Sequence, residues 1–200
     1  MEPVFTIPFS EYAVAQQLHR LLPAAQGYSL YAPLSRQEKG VDLILTRRRG
    51  RVTRAASIQI KASRTYSDPA RTERSRRFRY YTWFNNFELP GEADFVALIA
   101  VYPAEAINGS RILGSWWAPI ILLFTHDEMR RFLGSVQTRG GKRDRMFGFG
   151  FDNASAIFQT RGDRRGRRRS FSGHLLGERV PTLKRFLAGW RAGRISAGAG

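Results

Sequence analysis

The sequence predicts an α/β fold in which helices flank one mixed central β-sheet. An amphipathic helical segment comes first, several strand-like segments follow it, and two nearly continuous apolar segments of strand length lie further along. Strands that are apolar on both faces are typical of the centre of a covered sheet. A helix, then strands, then strand–helix alternation therefore indicates helices packed around a mixed sheet.

The first helix is predicted over residues 11–22. Ser10 is a good N-cap residue, apolar residues recur at helical spacing after it, and Pro23 ends the segment. Three strands are expected next, in YSLYAP, VDLILT and TRAASIQIKAS, because β-branched and aromatic residues fill these segments between turn signals.

The later elements follow from similar signals. RFRYYTWF is a further strand candidate, and ADFVALIAVY and WWAPIILLF are the two predicted central strands. Thr125 and Glu128 have the spacing of a capping box, which predicts a short helix over HDEMRRFL. Residues 135–170 are expected to hold two edge strands and an arginine loop. A last helix is predicted over residues 181–188, with proline at its start.

A single domain is expected over residues 1–190, because 200 residues with 42% hydrophobic content can bury one substantial core. Its core is predicted over residues 10–134, with a basic extension over 135–190 and a flexible tail over 191–200. The longest apolar run, residues 116–124, is too short to cross a bilayer. The chain has no cysteine, so nothing indicates an oxidising compartment, and a cytoplasmic location is expected.

The charge of the chain points to a polyanionic partner. Lysine and arginine number 33 against 16 aspartates and glutamates, which leaves a net charge of +17. Such a field attracts nucleic acid above all and anionic membranes second. DNA is the expected partner, RNA stays an alternative, no membrane partner is expected, and the sequence leaves a homodimer open.

Three polar residues are predicted to converge on one sheet face. If Gly50 and Arg51 form the two-residue turn of a hairpin, with Gly50 suited to a type II′ turn, Asp42 falls directly opposite Gln59. Their Cβ atoms are then about 5 Å apart. Lys61 lies on the same face, roughly 7 Å further along its strand.

This combination of side chains is suited to phosphodiester chemistry. Hard cations such as Mg²⁺ or Mn²⁺ take oxygen ligands and keep several waters. Asp42 and the amide oxygen of Gln59 can supply two such ligands, and the carbonyl of Ile60 a third. Lys61 is then placed to orient or deprotonate a water, or to offset charge on the pentacovalent phosphate. The pattern predicts a metal-dependent phosphodiester hydrolase.

The same residues resemble the PD-(D/E)XK nuclease superfamily, the fold shared by many restriction enzymes and Holliday-junction resolvases. The resemblance rests on Glu11 in the first helix, GVDLIL around Asp42, and IQIKAS with Gln59 and Lys61. It extends in looser form over residues 10 to about 134. It implies a restriction-endonuclease-like αβββαβ core and a metal-dependent deoxyribonuclease, with Asp42 as metal ligand, Lys61 as the family's lysine and Glu11 as an assisting acid. Gln59 stands where the family usually has an acid, so this chain carries a D…QxK variant.

Arginine-rich segments supply candidate contacts to nucleic acid. They are TRRRGRVTR, RTERSRRFR and RGDRRGRRR, and the arginine fork binds phosphate in a bidentate manner. The aromatic residues beside the second segment, Phe78, Tyr80, Tyr81 and Trp83, either stack on exposed bases or belong to the core. The candidate contact residues are Arg36, Lys39, Ser63, Arg64, Arg76, Arg77, Arg164 and Arg165.

Each site residue also has a structural explanation. Glu11 suits the first turn of a helix, where an acid complements the helix dipole. Asp42 is also typical of the turn that precedes a strand, and Gln59 and Lys61 suit a solvent-facing alternation. The corresponding alternatives in function are a catalytically inactive nuclease-like fold that only binds nucleic acid, and a basic RNA-binding protein.

Overall fold

A computed structural model of the chain describes residues 9–33, 40–67, 78–103, 117–138, 140–162 and 169–189. Within those ranges the helices are α1 (Phe9–Leu21), α2 (His126–Ser135) and α3 (Leu176–Ala188). The strands are β1 (Tyr28–Tyr31), β2 (Leu43–Arg49), β3 (Val52–Ser63), β4 (Thr65–Ser67), β5 (Tyr80–Asn85), β6 (Phe95–Pro103), β7 (Trp117–Thr125), β8 (Met146–Phe151) and β9 (Ile157–Arg161). None of the helices in this part of the chain combines the length and apolarity needed to cross a membrane.

Five strands form a mixed sheet in the order β1-β2-β3-β6-β7. The first three are antiparallel neighbours, β3 and β6 run parallel, and β7 is antiparallel to β6. The predicted α/β fold with a mixed sheet is therefore confirmed. The two apolar segments predicted as central strands are β6, which lies inside the sheet, and β7, which is its last strand among the described residues.

In the described part of the chain, α2 packs on one face of the mixed sheet through Met129 and Phe132, and α1 and α3 cover the other face. Val14 and Leu18 of α1 and Leu183 and Leu187 of α3 pack there against Ile58 of β3. The prediction that helices flank the sheet holds for this face. Alternate residues of each strand point to the opposite face, because side chains alternate along a strand.

A second sheet covers that opposite face, which is a correction to the single sheet predicted from the sequence. Its strands are antiparallel in the order β4-β5-β8-β9, and α2 packs beside it. β8 is an inner strand of this sheet and not the edge strand expected. The second hydrophobic cluster between the two sheets contains Leu98, Leu122, Phe132, Phe147 and Phe149.

One extended segment connects the two sheets. β3 ends at Ser63, and the chain continues through Arg64 into β4 of the second sheet. The Ser63 hydroxyl donates a hydrogen bond to the Trp83 carbonyl of β5, which fixes this corner. Strand β3 therefore carries its polar residues directly to the place where the two sheets meet.

The helix boundaries differ in part from the prediction. α2 begins as expected, with a complete capping box between Thr125 and Glu128. α3 begins five residues before the predicted start, so that Pro181 lies inside it, because Leu176 is buried in the core and the helix gains packing from its first turn. Gly189 ends α3 with a φ of 88°, a conformation that glycine adopts without strain. The tail over residues 191–200 lies outside the described residues.

Candidate functional site

The hairpin of β2 and β3 has the register predicted from the sequence. Arg49 pairs with Val52, so the turn contains only Gly50 and Arg51. Gly50 has a φ of 59° and Arg51 a negative φ, as the two central positions of a type II′ turn require. The predicted pairing is therefore confirmed along the whole of β2.

Asp42 lies immediately before β2 and is directed toward β3. Its backbone N–H donates to the Ile58 carbonyl at 3.0 Å. Its carboxylate Oδ2 accepts a hydrogen bond from the Ile60 N–H at 2.5 Å. Because Ile60 is the residue between Gln59 and Lys61, the carboxylate sits beside the backbone that separates the two other candidate side chains.

Asp42, Gln59 and Lys61 belong to the same face of the mixed sheet. Ile58 and Ile60 point into the cluster beneath α1 and α3, so the residues that alternate with them point to the other face. The same alternation applies to residue 42, because the next residue in β2 is buried in that cluster. The register therefore places the acid Asp42, the amide Gln59 and the amine Lys61 on one face, as predicted.

Gln59 is buried in an unusual way. The residue is only 6% exposed, and its amide oxygen Oε1 is fully buried without a hydrogen-bond partner among the described residues. An unpaired buried polar group costs about 1–3 kcal/mol, so most buried polar atoms in proteins have a partner. An amide oxygen with free lone pairs and a carboxylate on the same sheet face are a donor set that fits a hard cation such as Mg²⁺ or Mn²⁺.

Lys61 occupies the open side of this group. It is exposed and lines a cleft of about 300 Å³ at the junction of the two sheets. The opposite wall of the cleft comes from β5 and the loop that follows it, including Trp83, Asn86 and Glu88. The polar residues of β3 therefore extend from a buried amide to an ammonium group in an accessible cleft.

Glu11 lies in the first turn of α1 and is partly buried. The helix that carries it packs against the face of the mixed sheet opposite to the one occupied by Gln59 and Lys61. No group of three or more histidine, aspartate or glutamate side chains is placed to hold a metal ion in the described part of the chain. The role of Glu11 as an assisting acid stays a prediction.

Two of the predicted nucleic-acid contacts fall within the described residues. Arg64 is exposed at the corner between β3 and β4. The hydroxyl proton of Ser63 is used in its bond to the Trp83 carbonyl, so it is not free to reach a phosphate. The other candidates lie outside the described residues: Arg36, Lys39, Arg76, Arg77, Arg164 and Arg165.

Asp94 was not among the predicted site residues, although it resembles Asp42 in its contacts. Asp94 immediately precedes β6, and its Oδ2 accepts bonds from the Ser57 N–H at 2.9 Å and the Ser57 hydroxyl at 3.0 Å. Asp94 therefore bonds to β3 from the side opposite to Asp42. The signal was present in the sequence, since ADFVAL and VDLIL both place an aspartate just before an apolar strand.

The aromatic residues of β5 and its approach divide between core and surface. Tyr80 is 5% exposed and Phe78 is 6% exposed, so both belong to the interior. Trp83 is 38% exposed and Tyr81 is half-buried. Core packing therefore holds for Tyr80 and Phe78, whereas base stacking stays a prediction for Trp83 and Tyr81.

Comparisons of this chain with protein-family models, with curated proteins and with solved structures find no match.

Proposed function

We propose that this chain is a metal-dependent nuclease that hydrolyses the phosphodiester bonds of DNA. The observation that carries the proposal is the buried Gln59 amide oxygen, which has no hydrogen-bond partner among the described residues and lies on the same sheet face as Asp42. These two residues, with the carbonyl of Ile60, would hold Mg²⁺ or Mn²⁺. Such an ion, when bound, acidifies a water molecule and polarises a phosphoryl oxygen.

Lys61 supplies the positive charge on the solvent side of the site. It is two residues from Gln59 on the same face, roughly 7 Å along the strand, and it lines the cleft. An ammonium group at that position binds the phosphate and offsets the negative charge that develops on the phosphorus oxygens. It also donates hydrogen bonds that orient the attacking water.

The order of the elements supports the resemblance to the PD-(D/E)XK superfamily. α1, β1, β2 and β3 follow one another along the chain, and β6 lies parallel to β3 in the same sheet. One departure is clear: the described part of the connection from β3 to β6 consists of β4 and β5, where an αβββαβ core has a helix. The restriction-endonuclease-like core is thus proposed with strands of a second sheet in that connection.

Binding of nucleic acid without catalysis is the second candidate function. It is favoured by the neutral amide at position 59, which attracts a cation less strongly than an acid would. The contacts of Asp94 also favour it, because they illustrate that an aspartate before a strand can have a purely structural role. Introducing an acid with Gln59→Glu separates the two functions: cleavage that appears only in this variant would favour binding alone in the natural sequence.

The proposal is tested by incubating the purified protein with circular, linear and branched DNA, with and without Mn²⁺. We expect Mn²⁺-dependent cleavage that Lys61→Ala abolishes while DNA binding persists. Lys142→Ala, which removes another exposed lysine, is the matched control and should keep both properties. If Lys61→Ala lowers binding and cleavage equally, Lys61 is only a phosphate anchor.

A further inference from the structure

The second sheet presents aromatic side chains on its outer face. Along β5, Tyr80 and Phe84 point into the cluster between the sheets, so Tyr81 and Trp83 point outward. On the neighbouring strand β4, Tyr66 pairs with Tyr81 and therefore projects from the same outer face. We call Tyr66, Tyr81 and Trp83 the aromatic platform.

The rings of the aromatic platform lie side by side. The centroids of Tyr66 and Trp83 are 4.9 Å apart, and those of Tyr81 and Trp83 are 6.1 Å apart with an angle of 18° between the ring planes. Tyr66 is 46% exposed and Trp83 38% exposed. Adjacent rings that stay accessible in this way form a continuous apolar surface, which is typical of a binding site.

Two glycines of β8 shape this surface. Gly148 and Gly150 occupy the outward positions opposite Trp83 and Tyr81. A Cβ atom at Gly148 would collide with the indole of Trp83 and would lie 2.8 Å from the Thr82 carbonyl oxygen. The indole therefore lies over the backbone of Gly148. The alternation of phenylalanine and glycine in MFGFGF thus fills the core on one side and makes room on the other for Trp83 over Gly148 and for Phe78 over Gly150.

The aromatic platform is continuous with the cleft at Lys61. Trp83 belongs to both, since it lines the cleft as well as the platform. Lys61 and Tyr66 lie on one nearly continuous extended segment, at most about 17 Å apart. Between them, Arg64 is exposed at the corner of the two sheets.

Positive charge accompanies the platform in the sequence as well. The connection from β4 to β5 contains Arg71, Arg74, Arg76 and Arg77, whose placement lies outside the described residues. A partner that presents flat apolar rings together with negative charges matches such a surface. Single-stranded nucleic acid has this combination, because each nucleotide carries a base and a phosphate.

We propose that the aromatic platform binds the unpaired bases of single-stranded DNA while the cleft at Lys61 receives a neighbouring phosphate. The position of the phosphate rests on the proposed nuclease function. Bases inside a duplex are stacked on one another and offer no free face to Trp83 or Tyr66. The proposed nuclease therefore acts on single-stranded or frayed segments in preference to continuous duplex.

The test measures the affinity for fluorescently labelled single-stranded and duplex oligonucleotides of the same sequence by anisotropy, in EDTA so that no cleavage occurs. A stacked base contributes about 1–3 kcal/mol, which corresponds to a loss of roughly 5- to 150-fold per ring removed. Tyr66→Ala and Trp83→Ala are expected to weaken single-strand binding to this extent and to leave duplex binding within about twofold. Tyr66→Phe keeps the ring and should keep the affinity. Tyr31→Ala is the control, because Tyr31 is an exposed tyrosine of the other sheet.

The outcomes separate this proposal from the proposed nuclease function. Selective loss of single-strand affinity in Tyr66→Ala supports the platform even if no cleavage is ever detected. Unchanged single-strand affinity, or an equal loss for single strand and duplex, overturns the platform even if Mn²⁺-dependent cleavage is found. A change of oligomeric state in Tyr66→Ala, with unchanged affinity for DNA, would assign the surface to a second copy of the chain and also overturn it.

Discussion

Asp42 and Asp94 form equivalent backbone contacts on opposite sides of β3. Asp42 immediately precedes β2 and accepts the Ile60 N–H, and Asp94 immediately precedes β6 and accepts the Ser57 N–H. Ile60 lies just outside the part of β3 that pairs with β2, and Ser57 lies just outside the part that pairs with β6. Asp94 directs the same carboxylate oxygen to both donors of Ser57. By the alternation of side chains both aspartates belong to the face that carries Gln59, but Asp42 lies opposite Gln59 in the register of β2 and β3, whereas Asp94 lies opposite Ser57. The buried amide oxygen of Gln59 has no hydrogen-bond partner among the described residues. The hydrogen bonds to Ser57 therefore account for the position of Asp94. Hydrogen bonds of this kind do not account for the buried amide oxygen of Gln59.

The two aspartates therefore provide a matched pair of variants. Asp42→Asn is expected to lower the affinity for Mn²⁺ by roughly tenfold or more, because the ion depends on carboxylate charge, while the amide oxygen of asparagine still accepts the Ile60 N–H. Asp94→Asn should leave the Mn²⁺ affinity unchanged. Isothermal titration with Mn²⁺ measures both. An unchanged titration in Asp42→Asn, or an equal change in the two variants, would contradict the assignment of Asp42 as a ligand.

The buried amide oxygen of Gln59 leads to a prediction about the stability of the fold, which can be tested without any measurement of activity. Replacing it by leucine removes a buried polar atom that has no partner among the described residues, so Gln59→Leu should leave the free energy of unfolding unchanged or raise it by about 1 kcal/mol. Gln159 is the control, because it is also 6% exposed but its amide donates to the Arg161 carbonyl at 3.1 Å. Gln159→Leu should lower that free energy by about 1 kcal/mol. Urea denaturation compares the two, and a larger loss in Gln59→Leu would give Gln59 a structural role.

Glu128 joins α2 to α3. Its carboxylate accepts the Thr125 N–H at 2.9 Å and pairs with Arg179 of α3 at 2.5 Å. Burial alone would raise the pKa of Glu128, but the Thr125 N–H and the Arg179 charge outweigh it, so the pKa is lowered. The ring of His174, just before α3, packs on Phe124 at 4.5 Å. Burial lowers the pKa of His174, and Arg179 and Arg169 add to this while Glu128 opposes it.

These two shifts predict how stability depends on pH. A histidine whose pKa is lower in the folded than in the unfolded state stabilises the fold above about pH 6.5, and that contribution is lost as the pH falls through the folded pKa. The lowered pKa of Glu128 adds a second loss, which begins below about pH 4.5. His174→Gln is expected to remove the first loss only, and the exposed His19→Gln should change neither. Denaturation curves between pH 7.5 and 4 would contradict this if both variants behave alike.

Some features of the strands could be predicted from the sequence, and others could not. The register of β2 and β3 could be predicted because a two-residue turn and the alternation of apolar residues leave few arrangements. The second sheet could not be predicted from the sequence. Its strands β5 and β8 mix aromatic, glycine and polar residues, and which of their faces is buried depends on how the second sheet packs on the first. The sequence also could not predict that the Gln59 amide oxygen has no partner within the described ranges, because this depends on how both sheets pack around one amide.

The net charge of +17 and the aromatic platform make different contributions to the binding of nucleic acid. Contacts with phosphates release counterions and weaken with salt, whereas stacking on an aromatic ring involves no counterion. The two contributions can therefore be separated by varying the salt concentration.

The salt dependence of binding should differ between duplex and single-stranded DNA. Each neutralised phosphate adds about −0.9 to the log–log slope of affinity against salt for duplex and about −0.7 for a single strand. If both forms contact the same basic surface, duplex affinity falls more steeply, and the preference for single strands grows with salt. In Trp83→Ala the single-strand slope should persist while the affinity drops at every salt concentration, because only the salt-independent stacking is lost. Anisotropy titrations over a salt series measure this, and a slope near zero for both forms would contradict a phosphate-bearing partner altogether.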